Sequence, residues 1–287
     1  MAVPTLDVQL GPAPEARRRT RWRARRELLG GVLFAAIVLA CLIGPLFADA
    51  PNTTNLAARL AAPSGAHWFG TDDIGRDIFA RVLVGGRMDL LIGISGALVS
   101  AIVGCTLGVL LGAWGGRAGE VVMRSLDVIQ AFPLLVFAFA LLAFLSRSVL
   151  TIVLAVAFVN IPIFIRLTRT ETLVVVQLPF VEAARCSGNP RWRLLLRHVL
   201  PNVMTSSLAQ LTTTAGFAII LTGGLSFLGV GIQPPTAEWG SMVAEGAQYL
   251  ESGQWWTAVF PGLAIVLTVM SIQLVGDRFQ ATETDRG

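Results

Sequence analysis

Six long stretches without a charged residue decide what this chain can become. They run over approximately 28–48, 90–114, 128–146, 148–165, 205–230 and 257–276. Crossing about 30 Å of hydrocarbon takes about 20 residues of helix, and in lipid every backbone N–H and C=O must be satisfied within the segment. Six such runs therefore predict an all-α polytopic membrane protein with six transmembrane helices. Composition agrees: 14% of residues are charged, against about 25% in soluble domains, and the mean hydropathy is +0.68. Only Arg147 separates the third and fourth runs, so a tight helical hairpin is expected there.

Arginine placement sets the orientation, because Lys and Arg concentrate on the cytoplasmic side. With a cytoplasmic N-terminus, seventeen arginines fall inside and five outside. The segment 231–256 has Glu238, Glu245 and Glu251 and no arginine, as an outside loop should. Both termini are then cytoplasmic. Arg17 to Arg26 resembles the basic start of a signal peptide, but the apolar run after it is too long and five more follow. An uncleaved first span behind a mobile Arg-rich tail is expected.

One cytoplasmic segment interrupts the greasy chain: "VEAARCSGNPRWRLLLRHVLPN", Val181 to Asn202. Glu182-Ala183-Ala184-Arg185 favours helix, and Gly188-Asn189-Pro190 stops it. A second helix over Arg191–Val199 is predicted, ending at Leu200-Pro201-Asn202. From the residues alone this reads as an amphipathic connector with its arginines on lipid phosphate. The Glu-Ala-Ala start, a Gly six positions after the Glu and the His-Val-Leu-Pro ending resemble the EAA loop of ATP-binding-cassette (ABC) importer permeases. Three further stretches, 67–90, 226–246 and 255–280, resemble the dipeptide/oligopeptide permeases of that class, C-type subunit. The likeness covers roughly residues 28–280.

The resemblance implies a type I ABC importer transmembrane domain that imports di- or oligopeptides by alternating access. Nickel chelates or glutathione are the alternative cargo. It implies a homologous permease partner, two cytoplasmic ATPases, an extracytoplasmic binding protein and a bacterial inner-membrane location; no nucleic acid is expected. Glu182, Ala183, Ala184 and Gly188 would form the core ATPase contact. Arg191, Arg193 and Arg197 would touch either the partner or lipid. His198 matches the family's His, or simply bonds nearby backbone. The implied organisation is a tail over 1–27, a first helix and outer loop over 28–88, a permease core over 89–280 with its coupling loop at 169–202, and a tail over 281–287.

The chain has no lysine. A Walker A phosphate loop needs one, so ATP and Mg are expected on partner subunits, with no cofactor here and no enzyme activity. Cys41, Cys105 and Cys186 form no metal-ligand spacing. Asp72, Asp73 and Asp77 interleave with Arg76 and Arg81, which reads as a solvated salt-bridged loop, not a metal site. Two rival functions are weaker. Gly93-Ile94-Ser95-Gly96 matches a rhomboid-type serine-protease pattern, but the only histidines are His67 and His198, in loops on opposite sides. A secondary transporter places ionisable groups at mid-membrane, whereas here they fall at span ends or in loops.

In span two, Gly104, Gly108 and Gly112 form a small-residue stripe, a packing seam within this chain or toward the partner permease. In span five, Gln210, Thr213, Thr214 and Phe217 lie on one helical stripe. They either line the path or bond the backbone one turn back. Gly223, Gly224, Gly229 and Gly231 could hinge the end of that span. Gln130, Pro133, Asn160 and Pro162 are further polar or kinking spots.

Overall fold

A computed structural model describes residues 14–46, 51–144 and 148–284. Among them there is no strand, only one isolated bridge between Thr71 and Asp77. Ten helices follow in order: α1 (Pro14–Ile43), α2 (Ile78–Trp114), α3 (Gly116–Gln130), α4 (Leu134–Phe144), α5 (Val149–Val175), α6 (Pro179–Cys186), α7 (Arg191–Leu194), α8 (Leu200–Phe227), α9 (Trp239–Ala247) and α10 (Trp256–Thr284). Five helical segments are long and apolar enough to cross a membrane, six if one bent pair counts as a span.

That bent pair corrects the third expected span. Residues 128–146 do not form one rod: α3 and α4 meet at 90°. Pro133 has no N–H for the i−4 bond and disfavours helix at Phe132. With 11 residues, α4 rises only about 16 Å, roughly half the hydrocarbon thickness. It does pack on α5, where Ala138 and Leu142 join Ile152 and Val156 in one buried cluster. Arg147, the expected hairpin tip, lies outside the described residues. Arg166 holds α3 in place, donating to Asp127 Oδ1 and Gln130 Oε1, both at 2.7 Å.

Two other boundaries move. Helix α1 begins at Pro14, so residues 14–24 of the expected tail are helical and run straight into the first span, Arg25–Leu46. Glu15, Ala16 and the arginines favour helix and nothing breaks it; residues 1–13 lie outside the description. Helix α2 begins twelve residues before the apolar run, capped by Asp77, whose side chain accepts from Ala80 N at 2.9 Å.

The glycine stripe of α2 lies against α5 of the same chain. A Cβ on Gly104 would stand 2.9 Å from the Ile161 carbonyl oxygen, and one on Gly108 2.7 Å from that of Ile165. A Cβ on Gly112 would meet Thr172 Cβ at 2.7 Å. Only glycine lets the two backbones come this close. A second buried cluster joins α1, α2, α8, α9 and α10 around Ile78, Ile219 and Trp239.

Residues 51–77 and α9 cover one end of the bundle. There the acidic cluster is salt-bridged as expected, but Asp72, Asp73 and Asp77 are half-buried around two buried arginines rather than fully solvated. Arg76 is 5% and Arg81 1% exposed. Arg76 Nε pairs with Asp72 Oδ2 at 2.5 Å and Arg76 Nη2 with Glu245 Oε2 at 3.2 Å. Burial pushes the Glu245 carboxyl up, against the downward pull of Arg76 and Arg81. No cluster able to hold a metal occurs among the described residues.

Asp89 and Glu238 depart most from expectation, since both carboxyls are fully buried. Asp89 stands well inside α2, so not every ionisable group sits at a helix end. Glu238 Oε1 and Oε2 accept from Gly240 N at 2.9 Å and Ser241 N at 2.7 Å, and Asp89 Oδ2 accepts from Trp239 N at 3.0 Å. The two acids cap the first turn of α9, where free N–H groups and the helix dipole favour negative charge. Glu238→Ala should therefore cost about 1–3 kcal/mol, because buried N–H groups lose their acceptors. A lowered thermal midpoint of the detergent-purified protein checks this; an unchanged midpoint contradicts it.

Candidate functional site: a jointed loop fused to a long helix

At the opposite end of the bundle, Gln177 to Val199 forms a helix pair with a defined joint. Pro179 opens α6 at a position where a missing N–H costs nothing. The helix closes at Ser187, whose N–H returns to the Ala183 carbonyl at 3.0 Å. Gly188 follows with φ +81, a left-handed conformation that costs residues with a Cβ about 1–2 kcal/mol. Asn189 Nδ2 donates to the Ala184 carbonyl at 2.9 Å, clamping the joint. Pro190 then starts α7, its carbonyl accepting from Arg193 N at 3.0 Å and Leu194 N at 3.1 Å.

The second helix does not end at Leu200-Pro201-Asn202, as the sequence suggested. A π-helical turn over Leu195–Val199 joins α7 to α8, and Pro201 sits in the first turn of α8. Inside a continuous helix a proline loses its i−4 bond and crowds the preceding turn, and the wider π turn just before Pro201 makes room for it. Arg191 to Phe227 is thus one continuous 37-residue helix, about 55 Å long. Val199 and Val203 pack with Val109 of α2, which anchors the joint to the bundle.

The side chains sort by face. Val181 is buried at 1% exposure, whereas Glu182, Ala183 and Gly188 are exposed and Ala184 is half-buried. None of Glu182, Arg185, Arg191, Arg193 and Arg197 makes an ion pair among the described residues. The Arg193 guanidinium lies over the Trp192 ring, 5.4 Å from its centroid. The His198 ring faces Phe180 at 6.4 Å, and its carbonyl accepts from Asn202 Nδ2 at 2.6 Å. Arg185 and Arg191 line a cavity of about 350 Å³ behind the loop.

On α8 the expected polar stripe divides. Thr214 is buried and its Oγ1 accepts from Gln210 Nε2 at 3.2 Å. Thr213 is half-buried and reaches the Ala209 carbonyl at 3.5 Å; Phe217 is exposed. The Ser95 hydroxyl donates to the Leu91 carbonyl, while His67 Nδ1 is bonded to Asp77 Oδ2 at 2.8 Å and His198 sits at the other end of the bundle. The serine thus has no histidine base in reach.

Among the described residues the chain is thus a bundle of helices long and apolar enough to span a membrane, with an exposed jointed loop fused to one of the two longest of them. The chain belongs to the family described as binding-protein-dependent transport system inner membrane component, which matches residues 104–282. It is 42% identical over 247 residues to the probable D,D-dipeptide transport system permease protein DdpC of Escherichia coli, covering 86% of this chain and 83% of that one. It is 36% identical over 251 residues to the dipeptide transport system permease protein DppC of Alkalihalophilus pseudofirmus (87% and 82%). It is 41% identical over 269 residues to the glutathione transport system permease protein GsiD of Pectobacterium atrosepticum (90% and 89%).

Proposed function

We propose that this ABC-importer permease carries di- or oligopeptides, works as a heterodimer with a homologous permease, and has both termini in the cytoplasm. It binds no cofactor and performs no chemistry. ATP and Mg belong to two ATPase subunits, and an extracytoplasmic binding protein delivers the cargo. One observation carries the mechanism: the loop's second helix is continuous with α8. A push on Glu182, Ala183, Ala184 and Gly188 by a closing ATPase dimer would move α8 as a lever, without loss in a floppy linker.

On that lever, Gln210, Thr213 and Phe217 keep exposed surface and are the path-lining candidates; Thr214 supports them through Gln210. Uncharged hydrogen-bonding groups suit a passage that must bind peptide weakly and release it. The relatives named for dipeptide transport support peptide cargo, and the one named for glutathione supports the alternative.

Uptake of labelled dipeptide, oligopeptide, glutathione and nickel by cells with and without this chain tests the assignment. Loss of peptide uptake alone is expected on deletion. Peptide uptake that survives deletion while nickel or glutathione uptake falls would reassign the cargo. Thr213→Trp should cut uptake at least tenfold while the ATPases remain bound.

A further inference from the structure

The cavity behind the jointed loop has no part in the lever just described. Its walls come from Ala113 and Trp114 at the end of α2, from α6 and from the start of the long helix, and no carboxylate lines it. Helical spacing explains why Arg185 and Arg191, both exposed, line the same cavity. Arg185 lies one turn after Val181 and shares its face, and Val181 is buried. Glu182 and Ala183 occupy other faces and do not line the cavity. Across the Gly188 joint, Arg191 shares a face with Leu194 and Leu195, which also line it. Arg193 and Arg197 do not.

We infer that this cavity is a binding site for the phosphate headgroup of an anionic phospholipid, held between Arg185 and Arg191. Guanidinium forks match phosphate oxygens in geometry and charge. Asn189 apart, the other lining residues are apolar and include Trp114, 62% exposed at the end of a spanning helix, where an indole sits at headgroup level. A free phosphate would use only the two arginines and leave that apolar wall wet; a lipid uses both. Basic pockets between spanning helices take anionic headgroups on the cytoplasmic side, so the site rests on the orientation proposed above.

The test uses the intact complex with its ATPases, reconstituted in phosphatidylcholine bilayers with increasing phosphatidylglycerol, and counts retained lipid by native mass spectrometry. Phosphatidylglycerol should be retained selectively. The pair Arg185→Gln with Arg191→Gln should weaken retention about twenty-five-fold, from roughly fivefold per arginine. Arg193→Gln with Arg197→Gln should leave retention within about twofold.

Unchanged retention in Arg185→Gln/Arg191→Gln overturns the site. So does displacement of the lipid by millimolar inorganic phosphate, which would point to a soluble ligand. Loss of the ATPases from that variant with lipid retention intact would assign the guanidiniums to the ATPase instead. Cys186 is exposed, while Cys41 and Cys105 are buried, so an impermeant maleimide reads the orientation separately. Labelling of Cys186 in intact spheroplasts would retract the orientation; labelling only in inside-out vesicles with no lipid selectivity retracts the site alone.

Discussion

Replacing Gly108 by leucine should prevent the bundle from assembling. Its Cβ would overlap the Thr168 hydroxyl and stand 2.7 Å from the Ile165 carbonyl oxygen and 3.1 Å from Arg169 N. Two of those neighbours are backbone of α5, which cannot rotate away as a side chain can. Overpacking usually costs about 1–3 kcal/mol, and here the whole α2–α5 seam must open, so about 3 kcal/mol or more is expected. Gly31 of α1 is the control, since a Cβ there meets nothing within 4 Å. Gly31→Ala should leave the thermal midpoint equal or slightly raised, alanine being the better helix former. Similar midpoints for Gly108→Leu and Gly31→Ala would mean that the seam does not hold this fold together.

The second large effect should fall on function and spare the fold. A Cβ on Gly188 meets nothing within 4 Å, so Gly188→Val strains only the local left-handed turn. The strain should shift the angle between α6 and α7 and misplace the exposed face of Glu182 and Ala183. Glu182→Lys reverses a charge on that face; exposed substitutions of this kind usually change stability by about 0.5 kcal/mol or less. Both variants should reach the membrane in normal amounts, lose at least tenfold in ATPase co-purification and support less than about a tenth of wild-type uptake. Normal uptake by both would detach this loop from energy coupling.

Much of this architecture was legible in the sequence because lipid allows so few solutions. Charge-free runs of about 20 residues favour helices in lipid, and among the described residues five of the six runs are each built on one helical segment. The third failed for a local reason: Pro133 sits inside an apolar run whose length alone suggested a span. Hydropathy counts apolar residues, whereas the proline decides whether they form one rod.

The end of the loop was misjudged through the same residue type. Pro201 reads as a stop, yet the π turn at Leu195–Val199 accommodates it within the long helix, and that turn has no sequence signature. Burial at Asp89 and Glu238 was hidden for a different reason. The two acids lie 149 positions apart, and only the folded chain brings both to the start of α9. The signal that was available is Asp89 itself, an isolated acid bordering an apolar run. On α8 the stripe Gln210, Thr213, Thr214 and Phe217 was visible as a periodicity, but which member is buried depends on neighbouring helices.

Where the energy enters is the point most directly open to measurement. The complex should be reconstituted in proteoliposomes with the binding protein and labelled dipeptide on the extracytoplasmic side and ATP on the ATPase side. Uptake should require ATP and the binding protein, survive collapse of proton and sodium gradients, and disappear with Glu182→Lys in this chain. Uptake driven by an ion gradient with the ATPases absent would contradict it.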